Sequence, residues 1–385
     1  MAQGIFFIAA ALLLYNYLFY PAAVIFLARR RRPVPAAGDL SSRHESLPAV
    51  ALIIAAYNEE RVIDAKIRNS LALDYPKERL RIVVVSDGST DSTPEIVSRH
   101  RNEGVISLHE PQRRGKTAAL NRAVAVATAD VVVFSDANNM FEANALRELV
   151  GHFGDPRIGG VCGLKQIYRA PERESSQGDS LYWKYESAIK EAESRLDSIT
   201  TADGEIFAVR RALYEPVDES VINDDAEITF LLARKGYRVL YERRAVSFEH
   251  ASIRIEDDFH VKVRMVSGGF QTVARHWTFL LPPRTWFAFN FLSHKLLRWL
   301  APEFMILIAA SSLWLYRRPF FLVMVVLQTV FYLLAFAGWM TRGRKQPPAA
   351  VYVPFYFCAM NLAALRGLWR FLAGRQTTQW RKAER

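Results

Sequence analysis

Apolar positions fall into three regimes along the 385-residue chain. Residues 4–28, GIFFIAAALLLYNYLFYPAAVIFLA, hold no ionisable side chain other than tyrosine. That run exceeds the roughly 20 residues a helix needs to cross a bilayer. The central stretch behaves differently. Short continuous apolar runs, AVALIIAA at 49–56, RIVVVS at 81–86 and DVVVFS at 130–135, alternate with more polar stretches of helical character. Runs of this kind read as strands buried on both faces, and their βαβα alternation predicts a mostly parallel sheet covered by helices. The last third returns to long apolar runs at about 300–316, 320–340 and 351–372, the last interrupted by Arg366 and Arg370.

Between these regimes, residues 255–299 mix helically spaced apolar positions (Phe259, Val263, Val266, Phe270) with Lys262 and Arg264. Pro282–Pro283 then precedes an aromatic-rich run from Trp286 to Trp299. Such segments fit helices lying in the membrane interface, or two ordinary helices packing on a soluble domain. The cationic cluster Arg29–Arg32 follows the first apolar run rather than preceding it. That order reads as a retained anchor with its following domain in the cytoplasm, not as a cleaved signal peptide. Four spans would leave the basic tail outside, against the positive-inside rule, so either the last segment does not fully cross or the rule fails here.

Charge sharpens the division. The net charge of +11 separates into +19 on residues 1–36 and 259–385 and −8 on residues 37–258. Basic residues interleaved with apolar runs argue against a nucleic-acid partner and for a lipid bilayer. Two cysteines, Cys162 and Cys358, lie in differently composed regions and form no disulfide framework. Cys162, within Val-Cys-Gly, reads as part of a turn with no chemistry. Glu303 is the lone acid in the apolar C-terminal segments, which weakens a transporter reading.

The candidate chemistry sits where the strands end, which is where open α/β sheets bind ligands. Glu59, Asp87 and Asp136 each follow an apolar strand. Three such acids suit a metal–nucleotide site, with Mg²⁺ or Mn²⁺ as the hard, oxygen-seeking ion. Each could instead start a turn or cap a helix, as Asp91 does before the helix opening near Pro94. Arg113-Arg114-Gly115-Lys116-Thr117 has the look of a phosphate loop, but Glu110 stands where the P-loop requires glycine. A basic loop opening a helix can still steady a phosphate. Asp224–Asp225, read alone, is an acidic helix N-terminus.

In order along residues 55–138, AYNEE, DGSTDST, RRGKTAALN and FSDAN resemble the family 2 inverting glycosyltransferases. The resemblance continues through YWKYE (182–186), ADGE (202–205) with Arg210–Arg211, and NDD (223–225) before AEITFLLARKGYRV, covering about residues 48–275. It implies an α/β GT-A fold, a Rossmann-like mixed and mostly parallel sheet, as a cytoplasmic domain with flanking transmembrane and interfacial helices. The flanks resemble the branch containing chitin-oligosaccharide, hyaluronan, cellulose and poly-N-acetylglucosamine synthases.

The roles that follow are carried over from this resemblance. Tyr57, Glu59 and Asp87 would hold the uridine of a UDP-sugar, Lys116 and Arg264 its diphosphate, and Asp136 with Asn138 the cation. Asn138 departs from the family's Asp-x-Asp and offers only a neutral oxygen. Asp225 would be the general base, made more basic by Asp224. Gly204, Glu205 and Trp183 would meet the acceptor, and His250 either lines the site or is structural. The family's Gln-x-x-Arg-Trp is degenerate here: Val261, Arg264 and Met265 fill its positions, with Gln271, Arg275 and Trp277 as a second register. The expected organisation is an anchor and basic linker (1–36), the catalytic domain (37–254), interfacial helices (255–299), and C-terminal transmembrane helices with a basic tail (300–385). The expected activity is transfer from a UDP-sugar to a growing polysaccharide or oligosaccharide at the inner cell membrane. Single addition to a lipid-linked acceptor and a non-catalytic nucleotide-binding subunit of an export complex are the rival readings. A second copy of the chain or an export partner could complete the assembly.

Overall fold

A computed structural model describes residues 1–31, 47–168, 176–250, 255–342 and 348–375. Its first apolar run is one helix, α1 (Ala2–Leu14) and α2 (Tyr20–Arg29), joined by a π-helical turn at Tyr15–Phe19. The sheet that follows has eight strands. In chain order the elements are β1 (Val50–Ala56), α3 (Ile63–Leu71), β2 (Leu80–Asp87), α4 (Thr93–Arg99), β3 (Val105–Glu110), α5 (Lys116–Val126), β4 (Val131–Asp136) and β5 (Asn139–Phe141). Then come α6 (Ala145–Val150), β6 (Ile158–Tyr168), α7 (Ser176–Leu196), β7 (Phe207–Arg210), α8 (Asp224–Arg234) and β8 (Arg238–His250).

The spatial order is β3-β2-β1-β4-β7-β6-β8-β5. The first four strands are parallel, as the βαβα pattern predicts. Beyond β4 the sheet is mixed: β7 runs antiparallel to β4 and β6, β6 and β8 are parallel, and β5 closes the edge antiparallel to β8. Alternate residues of β1 serve different layers, which is why its sequence is apolar without a break. Leu52 and Ile54 share a core with Ile63 and Ile67 of α3. Ala51 and Ile53 share the opposite one with Ala119, Leu120 and Ala123 of α5. Register aligns the strand ends, with Ala55 opposite Asp136 and Ala56 opposite Ser86. Tyr57, Asp87 and Asp136 therefore emerge along one edge of the sheet.

Cys162 corrects the expectation of a turn. It lies buried within β6, and the nearby glycines answer to packing rather than to a bend. A Cβ on Gly163 would lie 2.5 Å from the Ala245 carbonyl and 2.6 Å from Ile206.

The C-terminal part opens with a long helix, α9 (Ile255–Leu280), ended before Pro282–Pro283. The aromatic run forms α10 (Trp286–Phe291) and α11 (Leu297–Trp299) around a π-helical turn, bent by 55° from α12 (Ala301–Trp314). Two longer helices complete the chain, α13 (Pro319–Met340) and α14 (Ala349–Leu372). The helix 2–29, α13 and α14 are each long and apolar enough to cross a membrane, and the bent pair could form a fourth span. Contacts distinguish them. Phe6 meets Phe320 and Phe321, so the start of α1 lies beside the start of α13. α14 packs on two neighbours: Gly338 of α13 lies against Val351 and Phe355, while Gly367 packs on Val263 and Val266 of α9 and Phe371 stacks on Phe270 at 6.0 Å.

One buried charge stands out beneath the sheet edge. Lys66 of α3 is 0% exposed, and its ammonium has no hydrogen-bond partner among the described residues. It sits 4.2 Å from the centre of the Phe141 ring. Burial pushes it down to about 7, although the charge of Asp136 opposes the shift. A lysine lowered in the fold below its unfolded value of 10.5 costs stability in full below pH 7, and the cost fades as pH rises toward the unfolded value. Lys66→Met should therefore stabilise the protein by a few kcal/mol at pH 6 and by little near pH 10. Thermal unfolding in detergent across that range checks this; an equal gain at both ends would refute it.

Candidate active site

The first component is the loop before α5, shaped by Asp87. The carboxylate is 3% exposed. Its Oδ2 accepts from the backbone N–H groups of Arg114 (3.0 Å) and Gly115 (2.6 Å), and its Oδ1 from Arg122 Nη2 (2.8 Å). An anion at the end of β2 thus fastens the start of a helix. Gly88 makes the approach possible: its φ is +70°, and a Cβ there would lie 2.6–2.7 Å from Arg113 atoms. Arg113 in turn stacks over Tyr57 at 3.7 Å, forming a flat cationic–aromatic platform beside Asp87. Glu59 follows on the same rim, its backbone N–H donating to Thr93 Oγ1 at 2.8 Å. Asp91 links the two loops, accepting from the N–H groups of Thr93 (3.0 Å) and Glu60 (3.1 Å).

The second component is the turn between β4 and β5. Lys116 Nζ donates to Asp136 Oδ1 at 2.6 Å. Burial works against the lysine's charge, but Asp136, Asp224 and Asp225 outweigh it and hold the ammonium above its ordinary value. Asn138 donates through Nδ2 to Glu249 Oε1 at 3.0 Å. Beneath it Asn139 is fully buried and donates to the Glu205 carbonyl (2.8 Å) and Ser247 Oγ (2.6 Å). Lys165 bridges Glu205 and Glu249, so the two acids behind the turn share one cation. Among the described residues no three His, Cys, Asp or Glu side chains enclose a metal site. One carboxylate and one amide oxygen fit a different arrangement, in which Mg²⁺ or Mn²⁺ takes most ligands from a diphosphate and water. Asp136 already faces a cation, the Lys116 ammonium, which shows that its carboxylate is presented to positive charge.

The third component is the N-terminus of α8. Asp225 Oδ1 accepts from the Ala226 N–H at 2.7 Å, and Oδ2 accepts from the Gly204 N–H at 3.1 Å. Desolvation and the neighbouring Asp224 raise the Asp225 carboxyl to about 6, while Lys116 pulls the other way. A carboxylate poised there is ionised at neutral pH and still basic enough to take a proton. The loop before it is braced by α9. Gln271 accepts from the Ile222 N–H (3.1 Å) and donates to the Ser220 carbonyl (2.9 Å). Asn223 donates to the Met265 carbonyl at 2.8 Å. Arg264 is partly buried one residue away and makes no ion pair among the described residues.

This geometry, three strand-end anchors facing an acidic helix start, has a counterpart among known proteins. Residues 51–217 match the family described as Glycosyl transferase family 2. The chain carries a glycosyl transferase family 2 domain. Poly-beta-1,6-N-acetyl-D-glucosamine synthase of Staphylococcus aureus (strain COL) is 27% identical over 239 residues, covering 60% of this chain and 57% of that protein. The probable glycosyltransferase YdaM of Bacillus subtilis (strain 168) is 30% identical over 215 residues, covering 53% of this chain and 51% of that protein. The chain thus spans little more than half the length of these curated relatives. Among solved structures, the mannosyltransferase PcManGT from Pyrobaculum calidifontis, in complex with GDP-Man and Mn²⁺, matches with a TM-score of 0.71 at 22% identity, covering 96% of this chain and 99% of that one. At that identity the likeness establishes the fold, which is GT-A.

Within the matched residues Lys116 and Asp136 form a direct pair; Asp225, beyond them in sequence, joins Gly204. Glu205 turns instead toward Lys165. Trp183 and His250 have side chains outside the described residues. Tyr185, a further aromatic on that helix, is structural: its hydroxyl donates to the Tyr17 carbonyl at 2.9 Å. Residues that carried no signal in the sequence are Asn139, Lys165 and Gln271 in the bracing role. Gln271 stood in the second register of the degenerate motif; the lysine and asparagine sit in strands where only pairing across the sheet reveals them.

If Asp224 is what raises Asp225, the acid limb of kcat/KM should rise through about pH 6, and Asp224→Asn should move it to lower pH by up to about one unit. A pH–rate profile of the variant checks this; an unmoved limb would exclude the coupling.

Proposed function

We propose that this chain is a membrane-anchored inverting glycosyltransferase that moves a sugar from a UDP-sugar to a growing saccharide, with its catalytic domain on the cytoplasmic side. The observation that carries the reading is that the Lys116 ammonium, hydrogen bonded to Asp136, also acts on the charge of Asp225. The nucleotide would lie along the Tyr57–Arg113 platform beside Glu59 and Asp87, with its diphosphate toward Lys116 and Arg264. A divalent ion held by Asp136 and Asn138 would offset charge on the departing diphosphate. Asp225 takes the proton of the acceptor hydroxyl as that oxygen bonds to the anomeric carbon. The bond to the diphosphate oxygen breaks on the opposite face, and the nucleoside diphosphate leaves with the electron pair.

Membrane anchoring is supported by the apolar helix 2–29 and by α13, whose starts lie together. α14 is a further candidate span and packs on both α13 and α9. Homology to a poly-N-acetylglucosamine synthase favours a polymer product. A second reading, one addition to a lipid-linked acceptor, is favoured by Met265: it is exposed at 47% where the family's processive members carry an indole.

Purified protein incubated with UDP-sugars and GDP-sugars, with Mg²⁺ or Mn²⁺, should release UDP and extend a saccharide into a ladder of products. A single added sugar would select the second reading, and turnover of GDP-sugars alone would overturn the donor. Asp225→Asn should lower transfer by about a hundredfold or more while donor binding persists. Full activity in that variant would remove the base assignment.

A further inference from the structure

Behind Asp225 lies a buried contact that the reaction as described does not use. Lys190, on α7, is 3% exposed, and its Nζ donates to Asp203 Oδ2 at 2.7 Å. Asp203 opens the loop whose next peptide, Gly204 N–H, donates to Asp225 at 3.1 Å. The same loop is tied at two further points. The Asp203 N–H donates to Cys162 Sγ at 3.1 Å, and the Ile206 N–H to the Asp203 carbonyl at 3.0 Å. A Cβ on Gly204 would lie 3.3 Å from that of Asp225, so the absence of a side chain there gives the peptide its close approach to the carboxylate.

We infer that Lys190 is a positioning residue for Asp225, acting through Asp203 and the Gly204 peptide; the inference rests on the reading of Asp225 as general base. Two effects combine. The ion pair fixes the loop, and hence the N–H that aims one Asp225 oxygen. It also neutralises a carboxylate that faces Asp225 alongside Asp224 of α8, with Lys116 of α5 as the remaining counter-charge. Lys190 is itself held in place from the membrane side. Glu186, one turn earlier on α7, accepts from Arg298 (2.9 Å) and Lys295 and lies 3.1 Å from His294 Nε2. His294 Nδ1 meets Glu193, also on α7, at 2.7 Å. The helix is therefore locked in rotation by α11 and the turn before it, and presents Lys190 to the catalytic loop.

Three variants of the full-length protein test this, with kcat, donor KM and the pH profile as readouts. Lys190→Met should lower kcat by roughly tenfold to a hundredfold with donor KM nearly unchanged, because the nucleotide anchors are untouched. Its acid limb should move to higher pH, since Asp203 now faces Asp225 without its counter-charge. Lys190→Arg should recover much of the rate. Asp203→Asn keeps an oxygen for Lys190 and removes one negative charge, so it should move the limb to lower pH even if Lys190→Met fails to fold. An unmoved limb in Asp203→Asn, or loss of donor affinity in parallel with kcat in Lys190→Met, would overturn the relay. Full activity in Asp225→Asn would instead sink the base reading on which the relay rests.

Discussion

A single ammonium, Lys116, holds the active cleft together electrostatically. Asp136 accepts its hydrogen bond, and Asp224 and Asp225 both act on its charge. Carboxylates gathered in a partly buried cleft repel one another, and one cation shared among them is what allows Asp225 to remain ionised near neutral pH. Lys116 can serve all three because it is the first residue of α5, which Asp87 fastens through two N–H groups of the preceding loop and through Arg122 of the helix itself. The chain of dependence therefore runs from a buried anion at the end of β2, through a helix start, to the protonation state of a residue more than a hundred positions later.

That arrangement also gives the proposed cation a physical reason. A nucleoside diphosphate entering the cleft brings more negative charge than one lysine can balance while it also neutralises Asp136. Either Lys116 turns to the phosphates and leaves Asp136 exposed, or a second positive charge joins. Asp136 and Asn138 would be the residues to hold a divalent ion, which would supply the missing positive charge and leave Lys116 for phosphate. The neutral Asn138 is less of a loss in this cleft than it looks in the sequence. Its amide is already tied to Glu249, and a second free carboxylate beside Asp136 would add repulsion toward Asp225.

The parallel half of the sheet was legible because strands buried on both faces need continuous apolar cores, which β1, β2 and β4 have at 50–56, 82–85 and 131–134. The antiparallel half was not. β5 has three residues, and β6 carries three glycines whose need is set by neighbours such as Tyr237, Phe207 and Ala245 rather than by a turn. The site divides in the same way. Asp87, Lys116, Asp136 and Asp225 stand at strand ends or helix starts, where local sequence already marks a special position. Lys165, Lys190 and Gln271 act through partners 40, 13 and 49 residues away, respectively. In sequence each is an ordinary polar residue on an amphipathic element, and only the packing of that element reveals its partner.

The cluster around His294 shows why the membrane flank and the catalytic domain behave as one object. Glu186 and Glu193 are fully buried, and such charges are tolerated only when well partnered. Their partners come from α2 through the Tyr20 hydroxyl, 2.7 Å from Glu193, and from the α10–α11 segment through His294, Lys295 and Arg298. Replacing these groups with well-packed apolar side chains could be neutral or better for stability, so stability alone does not account for them. What a directional network adds is registry: α7 can dock on the anchor helix in only one rotation. That rotation places Lys190 at the catalytic loop, whereas an apolar interface between the same helices would tolerate slippage. The geometry of Asp225 is thereby referred to the N-terminal apolar helix rather than to the sheet alone.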